Sequence, residues 1–525
     1  MCVKLARLKP SGRSLDPNGN IGAREMIITP GEPGEQNSAY GRPRHAELIP
    51  NPMTKTVSKS SQYEGVALIN DPIHGYISFT VPYPDQPKEV TEKDLIDSPW
   101  LQRLRYINQL QSARWVFPTA EHSRFQHSVG AMHVAGRFAR HLYPSLKQVV
   151  PDLPSASYVE ELLRVTALLH DVGHGPFCHF FDDNYLDEFE LTHERIGQRI
   201  IVQELGERIS KIRRSPHGTF QDGEKLDPQH IAFLILKESK KSPTGTAQAK
   251  SASPTTKDDP LWLRFLRPIF GGIYTADNLD YVLRDAYMCG VAIGPVDLDR
   301  LMHYTFYTEN GLTLHRTGCN ALTMFLNARL YLYTNVYYHR TTRAIDLHLR
   351  EIFRDTIKMI FPYNPLERLD LYLSLTDWSL LETVRQWPVG MPEQKRVLGR
   401  EWERILRRDV KWKMAYDTTL SIREPGKGQT LIRQEELEHA IREHLPQELK
   451  QLEFRVDLAT QDPRPLNPLM MGQRQIYVYN PSSKIVSKEA LQEFFDYIPA
   501  RVVHCRIFTK DHAHDTLLSE VVEKI

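Results

Sequence analysis

Apolar residues recur at i, i+3 and i+4 over Pro99–Leu110, Ser128–Leu142, Tyr158–Asp171, His193–Ile209, Ile273–Met288 and Leu322–Phe361. That spacing gives an α-helix one buried face. Strand-like alternation comes late, in Leu452–Ala459, Gln475–Asn480 and Arg501–Phe508, with a helix expected near Lys488–Tyr497. The pattern predicts a mainly α fold, a helical core of about 300 residues followed by a smaller α+β C-terminal lobe. No self-similarity at solenoid periods is present.

Two stretches carry neither period. Residues 1–60 hold 7 Pro and 6 Gly, so 1–62 reads as a flexible tail, within which Met53 would serve equally well as a start. Residues 240–260 contain no Ile, Leu, Val or aromatic residue and read as a mobile loop inserted between helices. The expected organisation is therefore this tail, a catalytic core over 63–370, and the α+β lobe over 371–525.

Composition narrows the class. Apolar residues make up 41% of the 525 and charged residues 25%, which excludes a disordered or fibrous chain. The formal charge of +1 excludes coating of nucleic acid or membrane by bulk electrostatics, so charged partners must be met by local patches. The five cysteines are scattered, without a CxxC, and suggest neither a disulfide framework nor a thiolate zinc site. No run resembles a signal peptide or approaches the ~20 apolar residues of a membrane helix. The expectation is a soluble intracellular protein, cytoplasmic or nuclear, with no membrane partner.

Histidine is the unusual count. Eight of 21 (122, 127, 133, 141, 170, 174, 179 and 193) fall within residues 120–195, where a uniform spread would put about three. In Leu168–His179, LLHDVGHGPFCH, an apolar helix runs into His170-Asp171 and is stopped by two glycines and a proline. An imidazole beside a carboxylate suits a borderline or hard divalent metal. Two ligands are not a site, and the candidates for the others are His127, where a new helix begins, and Asp277, in ADNLDYVLRD. Positions 277, 281, 284 and 285 share a helical face, so Asp277, Tyr281, Arg284 and Asp285 form a polar stripe. Alone, that stripe reads as a solvated salt-bridge row, and a lone His-Asp pair reads as chance. Their conjunction is the signal.

In order and spacing this H…HD…D pattern resembles the HD-domain phosphohydrolase superfamily. Asn70–Gly75 (NDPIHG), Gln102–Ile107 (QRLRYI), Val116-Phe117-Pro118 and the HDVGHGPFCHFFDD run are similar to its dNTP triphosphohydrolase branch, which includes the vertebrate SAM- and HD-domain enzymes. The likeness covers about residues 64–350 and weakens beyond, and the tail is too short and too rich in Pro and Gly for a SAM domain.

The resemblance implies roles residue by residue. His127, His170, Asp171 and Asp277 match the metal ligands, for one divalent ion (Fe, Zn, Mn or Mg). His174 and His179 match histidines beside the α-phosphate, Asp182 the acid that orients one of them, and His193 a further pocket histidine. We expect His179 to act as general acid, His174 to stabilise phosphate charge and Asp182 to hold the imidazole. Gln109 and Leu110 match the sugar edge where a 2′-hydroxyl would sit, and Arg124, Tyr281 and Asp285 match phosphate and 3′-hydroxyl contacts. The implied reaction takes a dNTP to a deoxynucleoside and inorganic triphosphate.

A triphosphate needs cations, and residues 311–350 carry five arginines against one acid. Arg329, Tyr333, Tyr337 and Arg340 are spaced to share one helical face, and Arg offers a planar fork of donors to phosphate. The plainer reading is a bundle helix with core-packed Tyr and snorkelling Arg. Arg329 and Tyr337 match pocket positions of the family, whereas Tyr333 and Asn335 stand where relatives have His and Arg. Asp97, Gln102 and Arg105 match a guanine pocket between subunits, which implies a GTP or dGTP effector and a homo-oligomer, dimer or tetramer. The lysine that precedes NDPIHG in those relatives is Ala67 here.

His133 and His141 read as structural, and His74 as an organiser of the Asp71-Pro72 loop. The competing readings are an HD phosphodiesterase or pyrophosphohydrolase on a signalling nucleotide, and a non-catalytic regulator that binds nucleotide or single-stranded nucleic acid.

Overall fold

A computed structural model describes residues 64–236, 259–423, 433–465 and 467–525. The expected tail over 1–62 and nearly all of the 240–260 insertion lie outside the described residues.

Helix α1 (Arg124–Val149) starts at a reciprocal capping box between Ser123 and Gln126 and runs 26 residues along the core. Helix α2 (Ala156–Leu169) is capped by Ser155, whose hydroxyl accepts from the Tyr158 N–H, and packs along α1. Two short helices follow, α3 (His179–Asn184) and α4 (His193–Arg199). Helix α5 (Ala276–Cys289) begins at a Thr275–Asn278 capping box and ends on Gly290, whose φ of +66° closes the last turn in the left-handed region. Helices α6 (Cys319–Leu332), α7 (Arg340–Ile360), α8 (Asp377–Arg385), α9 (Glu393–Leu406), α10 (Gln434–His444), α11 (Ala490–Phe495) and α12 (Asp515–Val522) complete the set used below. The architecture is a helical core with a smaller strand-containing C-terminal region.

The strands, in chain order, are β1 (Val66–Asp71), β2 (Gly75–Thr80), β3 (Thr305–Thr308), β4 (Gly311–His315), β5 (Lys413–Ile422), β6 (Phe454–Gln461), β7 (Tyr477–Asn480), β8 (Ile485–Ser487) and β9 (Arg501–Thr509). β1 and β2 form an antiparallel hairpin. A four-stranded sheet has the order β8-β7-β4-β3, in which β4 and β7 run parallel. A three-stranded antiparallel sheet has the order β5-β9-β6.

The main hydrophobic core does not stop at residue 370. Leu380, Val384, Trp387, Trp402 and Ile405 of α8, α9 and their link belong to it, as do Ile476, Val478, Leu491 and Phe495. A second core lies between α10, α12, β6 and β9, around Ile441, Phe454, Ile507 and Leu518. The part of 371–525 with its own core is thus the β5-β9-β6 sheet with α10 and α12.

Three expected helices are interrupted, one of them, His193–Ile209, by a π-turn over Ile200–Glu204 before a last turn at Gly206–Ile209. Over Pro99–Leu110 a single α-turn passes through a 3₁₀ turn, Arg103–Tyr106, into an extended Ile107, because the main chain at 107–109 pairs with 122–124 instead. Over Leu322–Phe361 a π-turn, Tyr333–Tyr337, ends α6, and His339 caps a new helix. This break removes Arg340 from the expected Arg329–Tyr333–Tyr337 face. Arg340 is solvent-exposed at the first turn of α7.

Candidate metal centre and its cavity

His127 lies in the first turns of α1, His170 caps the end of α2, and Asp277 lies in the first turn of α5. Packing of α1 against both partners brings their ligating atoms together. His127 Nε2 is 3.3 Å from His170 Nε2 and 3.2 Å from Asp277 Oδ1, and His170 Nε2 is 3.7 Å from Asp277 Oδ1. Donors around an ion with bonds of about 2.0–2.1 Å stand roughly 3.3 Å apart in a tetrahedral arrangement, so the triangle fits a divalent metal. Asp171 closes its edge, with Oδ1 3.2 Å from His170 Nε2 and Oδ2 3.7 Å from His127 Nε2.

Outer partners prepare these donors. His170 Nδ1 donates to the Ala167 carbonyl at 2.7 Å, and His127 Nδ1 donates to Asp280 Oδ2 at 2.8 Å, which turns both Nε2 atoms toward the triangle. Burial disfavours charge on His127, but Asp277, Asp280 and Asp171 outweigh it and push the imidazole up to about 10. The site therefore carries an excess of negative field that suits a cation. Burial alone would raise the Asp171 carboxyl; Arg124, His170 and His174 hold it well below the usual carboxylate range.

Asp280 is the residue that the sequence reading missed. Fully buried, it meets His127, His74 (2.7 Å) and Arg284 (2.9 and 2.8 Å), and Arg284 reaches on to Asp71 at 2.8 Å. The expected four-residue stripe on α5 divides accordingly. Asp277, Tyr281 and Asp285 face a cavity, while Arg284 turns with Asp280 into a buried network. The signal available was the i, i+4 Asp–Arg pair inside an otherwise apolar face. Gly130 is required beside it, since a Cβ there would stand 2.0 Å from Asp280 Oδ1.

The cavity has a volume of about 1010 Å³ and opens over Asp171 and Asp277. All seven expected substrate contacts line it: Gln109, Leu110, Arg124, Tyr281, Asp285, Arg329 and Tyr337. Arg124 donates to Asp171 and, at 2.7 Å, to Cys178 Sγ. Arg329 Nε donates to the Tyr281 hydroxyl at 3.1 Å. Asp285 is clamped by His122 at 2.7 Å and by the Tyr337 hydroxyl at 2.5 Å, which gives His122 a part that the sequence left open. The Gln109 side-chain amide oxygen, Oε1, is buried with no hydrogen-bond partner among the described residues.

A second cluster joins His174, His179, Asp182 and His193. His174 and His193 stack with centroids 3.7 Å apart and planes 15° apart, so one ion cannot lie in both ring planes. The arrangement suits a proton relay better than a metal. His193 Nδ1 bonds directly to Asp182 Oδ2, whereas His179 Nδ1 is 3.6 Å from that oxygen. The imidazole that Asp182 holds most closely is therefore His193, not His179. His179 is 58% exposed at the cavity mouth, and both it and His193 line the cavity. His174 is fully buried behind them, and burial together with the charges of Arg124 and His193 keeps it neutral, its pKa well below the ordinary range. Phe177 and Cys178, just before His179, both adopt left-handed backbone (φ +60° and +54°), at about 1–3 kcal/mol each for non-glycine residues.

Asp97, Gln102 and Arg105 do not line the cavity. Asp97 pairs with Lys93 at 2.7 Å on the surface, and Arg105 donates to Gln102 at 2.7 Å while covering Phe125. His133 packs against His74 with its ring tilted by 33°, and His141 bonds the Thr305 carbonyl. Among the described residues no helix is long and apolar enough to cross a membrane.

Comparison with known proteins agrees with this geometry. Residues 124–242 match the HD domain family and residues 296–445 the HD associated region. The uncharacterized protein YwfO of Bacillus subtilis is 28% identical over 326 residues, 60% of this chain and 63% of that protein. The deoxynucleoside triphosphate triphosphohydrolase SAMHD1 of Bos taurus is 31% identical over 299 residues, 54% of this chain and 47% of that protein. The matches thus span about half to two thirds of these relatives' length. A solved structure of a hypothetical protein from Aquifex aeolicus shares the fold, with a TM-score of 0.61 at 24% identity over 87% of this chain and all of that one. The chain carries an HD domain followed by its associated region, with a core like that of the dNTP triphosphohydrolases.

Proposed function

We propose that this HD-domain chain is a metal-dependent dNTP triphosphohydrolase, releasing a deoxynucleoside and inorganic triphosphate. The observation that carries the reading is the metal-fitting triangle of His127, His170 and Asp277, edged by Asp171, opening onto a cavity whose walls include Arg124 and Arg329. The likeness to SAMHD1 proteins supports the same substrate class.

A divalent ion held by His127, His170, Asp171 and Asp277 would supply phosphoryl polarisation and a more acidic water. The chain's own residues do the rest. Arg124 and Arg329 offer guanidinium donors to phosphate oxygens, Arg329 steadied by the Tyr281 hydroxyl. Asp285, fixed between His122 and Tyr337, is an acceptor suited to a sugar hydroxyl. Gln109 and Leu110 line the cavity and would exclude a 2′-hydroxyl from a sugar bound against them. The proton for the departing 5′-oxygen comes from the His179–His193 side of the cavity. Asp182 makes protonated His193 the better-supported store, and exposed His179 is the group able to swing toward substrate.

Incubation with each dNTP, with several divalent metals and with or without GTP, followed by chromatography, tests the reading. Triphosphate and deoxynucleoside are expected. Monophosphate, or no turnover in any mixture, would refute it. The GTP arm also tests an effector pocket at Asp97, Gln102 and Arg105, through faster turnover together with a larger assembly.

A further inference from the structure

Between the ligand pair His170-Asp171 and the exposed His179, the chain turns in a way that leaves much of its backbone without a helix or strand partner. The turn is backed by residues brought from far away in the sequence. The Tyr372 hydroxyl donates to the Gly173 carbonyl at 2.9 Å. Arg103 donates to the His174 carbonyl at 2.6 Å and to the Leu375 carbonyl at 2.7 Å, tying the turn to the segment that follows Tyr372. The Asp377 carboxylate then makes the most consequential pair of contacts. One oxygen accepts from the Phe177 N–H at 2.7 Å and the other from the Asn108 N–H at 2.9 Å.

Each of those N–H groups lies just before a segment that lines the cavity, Gln109–Ala113 in one case and His179-Phe180 in the other. Phe177 is the first of the two left-handed residues that launch α3 and aim His179. Asn108 immediately precedes Gln109 and Leu110, and it bridges to Ser123, the residue before Arg124. Asp377 is 1% exposed and is the first residue of α8, where an acidic group is favoured by the helix N-terminus. It lies in the HD associated region, outside the HD domain itself.

We propose that Asp377 is a positioning residue of the active site: one carboxylate holds the His179 turn and the Asn108–Leu110 strip in register. The associated region thereby sets both turnover and sugar selectivity. A carboxylate is needed because both contacts are donors. Asparagine keeps one acceptor oxygen and would turn an NH₂ toward the other N–H. The kinetic part rests on the hydrolase reading, whereas the positioning part does not.

The test compares full-length wild type, Asp377→Asn and, on the exposed side of the same helix, Glu382→Gln, each with Mn²⁺. Deuterium uptake is read by mass spectrometry in peptides covering 105–112, 172–184 and, as reference, 156–168. Asp377→Asn should speed exchange in both of the first two segments and leave the third unchanged. It should also lower kcat at least about tenfold with little change in KM, as expected for misplaced reacting groups, and narrow the preference for dCTP over CTP. Glu382→Gln should match wild type. If Asp377→Asn does not fold, Asp377→Glu, which displaces the carboxylate by one methylene, is read in the same way. Unchanged exchange in either segment, or a uniform rise in all three, would overturn the proposal. Wild type inactive on every dNTP would refute the hydrolase reading and leave the exchange arm to decide the positioning role.

Discussion

The two histidine clusters lie side by side and are built on opposite principles. Around His127 and His170 each ligating ring is fixed through its Nδ1 by an outer partner, Asp280 or the Ala167 carbonyl, and both rings are buried. Around His179 the ring is more than half exposed, and its carboxylate neighbour is committed to His193. A metal site must hold its donors before the ion arrives, because every donor left to order on binding weakens affinity. A proton donor must instead meet a leaving group that is absent until substrate enters, so access matters more than rigidity.

The largest effect should come from removing the rigid side. A His170→Ala/Asp171→Ala variant is expected to lose bound metal, measured by elemental analysis, and to lose turnover to background while keeping its helical circular dichroism. Metal retention would break the contrast. Next, His193→Ala or Asp182→Asn should lower kcat by about 10²–10⁴-fold, the usual weight of a general acid, with full metal content. Loss of metal with activity would instead make the second cluster a ligand set.

Asp280→Asn comes next. It leaves every direct ligand in place and should weaken metal binding about 10–100-fold, as outer partners of ligating histidines do; a titration with Mn²⁺ or Zn²⁺ reads this. Unaltered affinity would mean that His127 does not need its outer carboxylate. A smaller effect is expected from Asp457→Asn. Asp457 holds Arg343 of the cavity wall at 2.5 and 3.0 Å from strand β6. A KM raised a few-fold at unchanged metal content would show the C-terminal sheet shaping the far end of the cavity.

The same contrast explains what could be read from the sequence. The rigid cluster depends on a helix stop at His170-Asp171 and on helix starts at His127 and Asp277, all local features, and His127, His170 and Asp277 come together with Asp171 at their edge. The helical pattern was legible for the same reason, since it is set within each helix, although α2 is buried on every side from Tyr158 to Leu169. What escaped depends on distant contacts or on a shifted period. Asp280 differs from Asp277 only in which neighbour its face meets. The π-turn at Tyr333–Tyr337 displaces everything after it, which moves Arg340 from the cavity to solvent. The pairing of β4 with β7 joins residues more than 150 apart, and Asp377 reaches Phe177 across 200. Neither leaves a local trace. The association of Asp182 with His193 rather than His179 follows from how α4 packs, which spacing alone does not specify.

The most direct test of the central claim is hydrolysis of a dNTP by the metal-loaded protein in ¹⁸O-water, with products weighed by mass spectrometry. Attack at the α-phosphorus predicts inorganic triphosphate carrying one ¹⁸O and an unlabelled deoxynucleoside. A labelled deoxynucleoside, or a deoxynucleoside monophosphate with pyrophosphate, would contradict it.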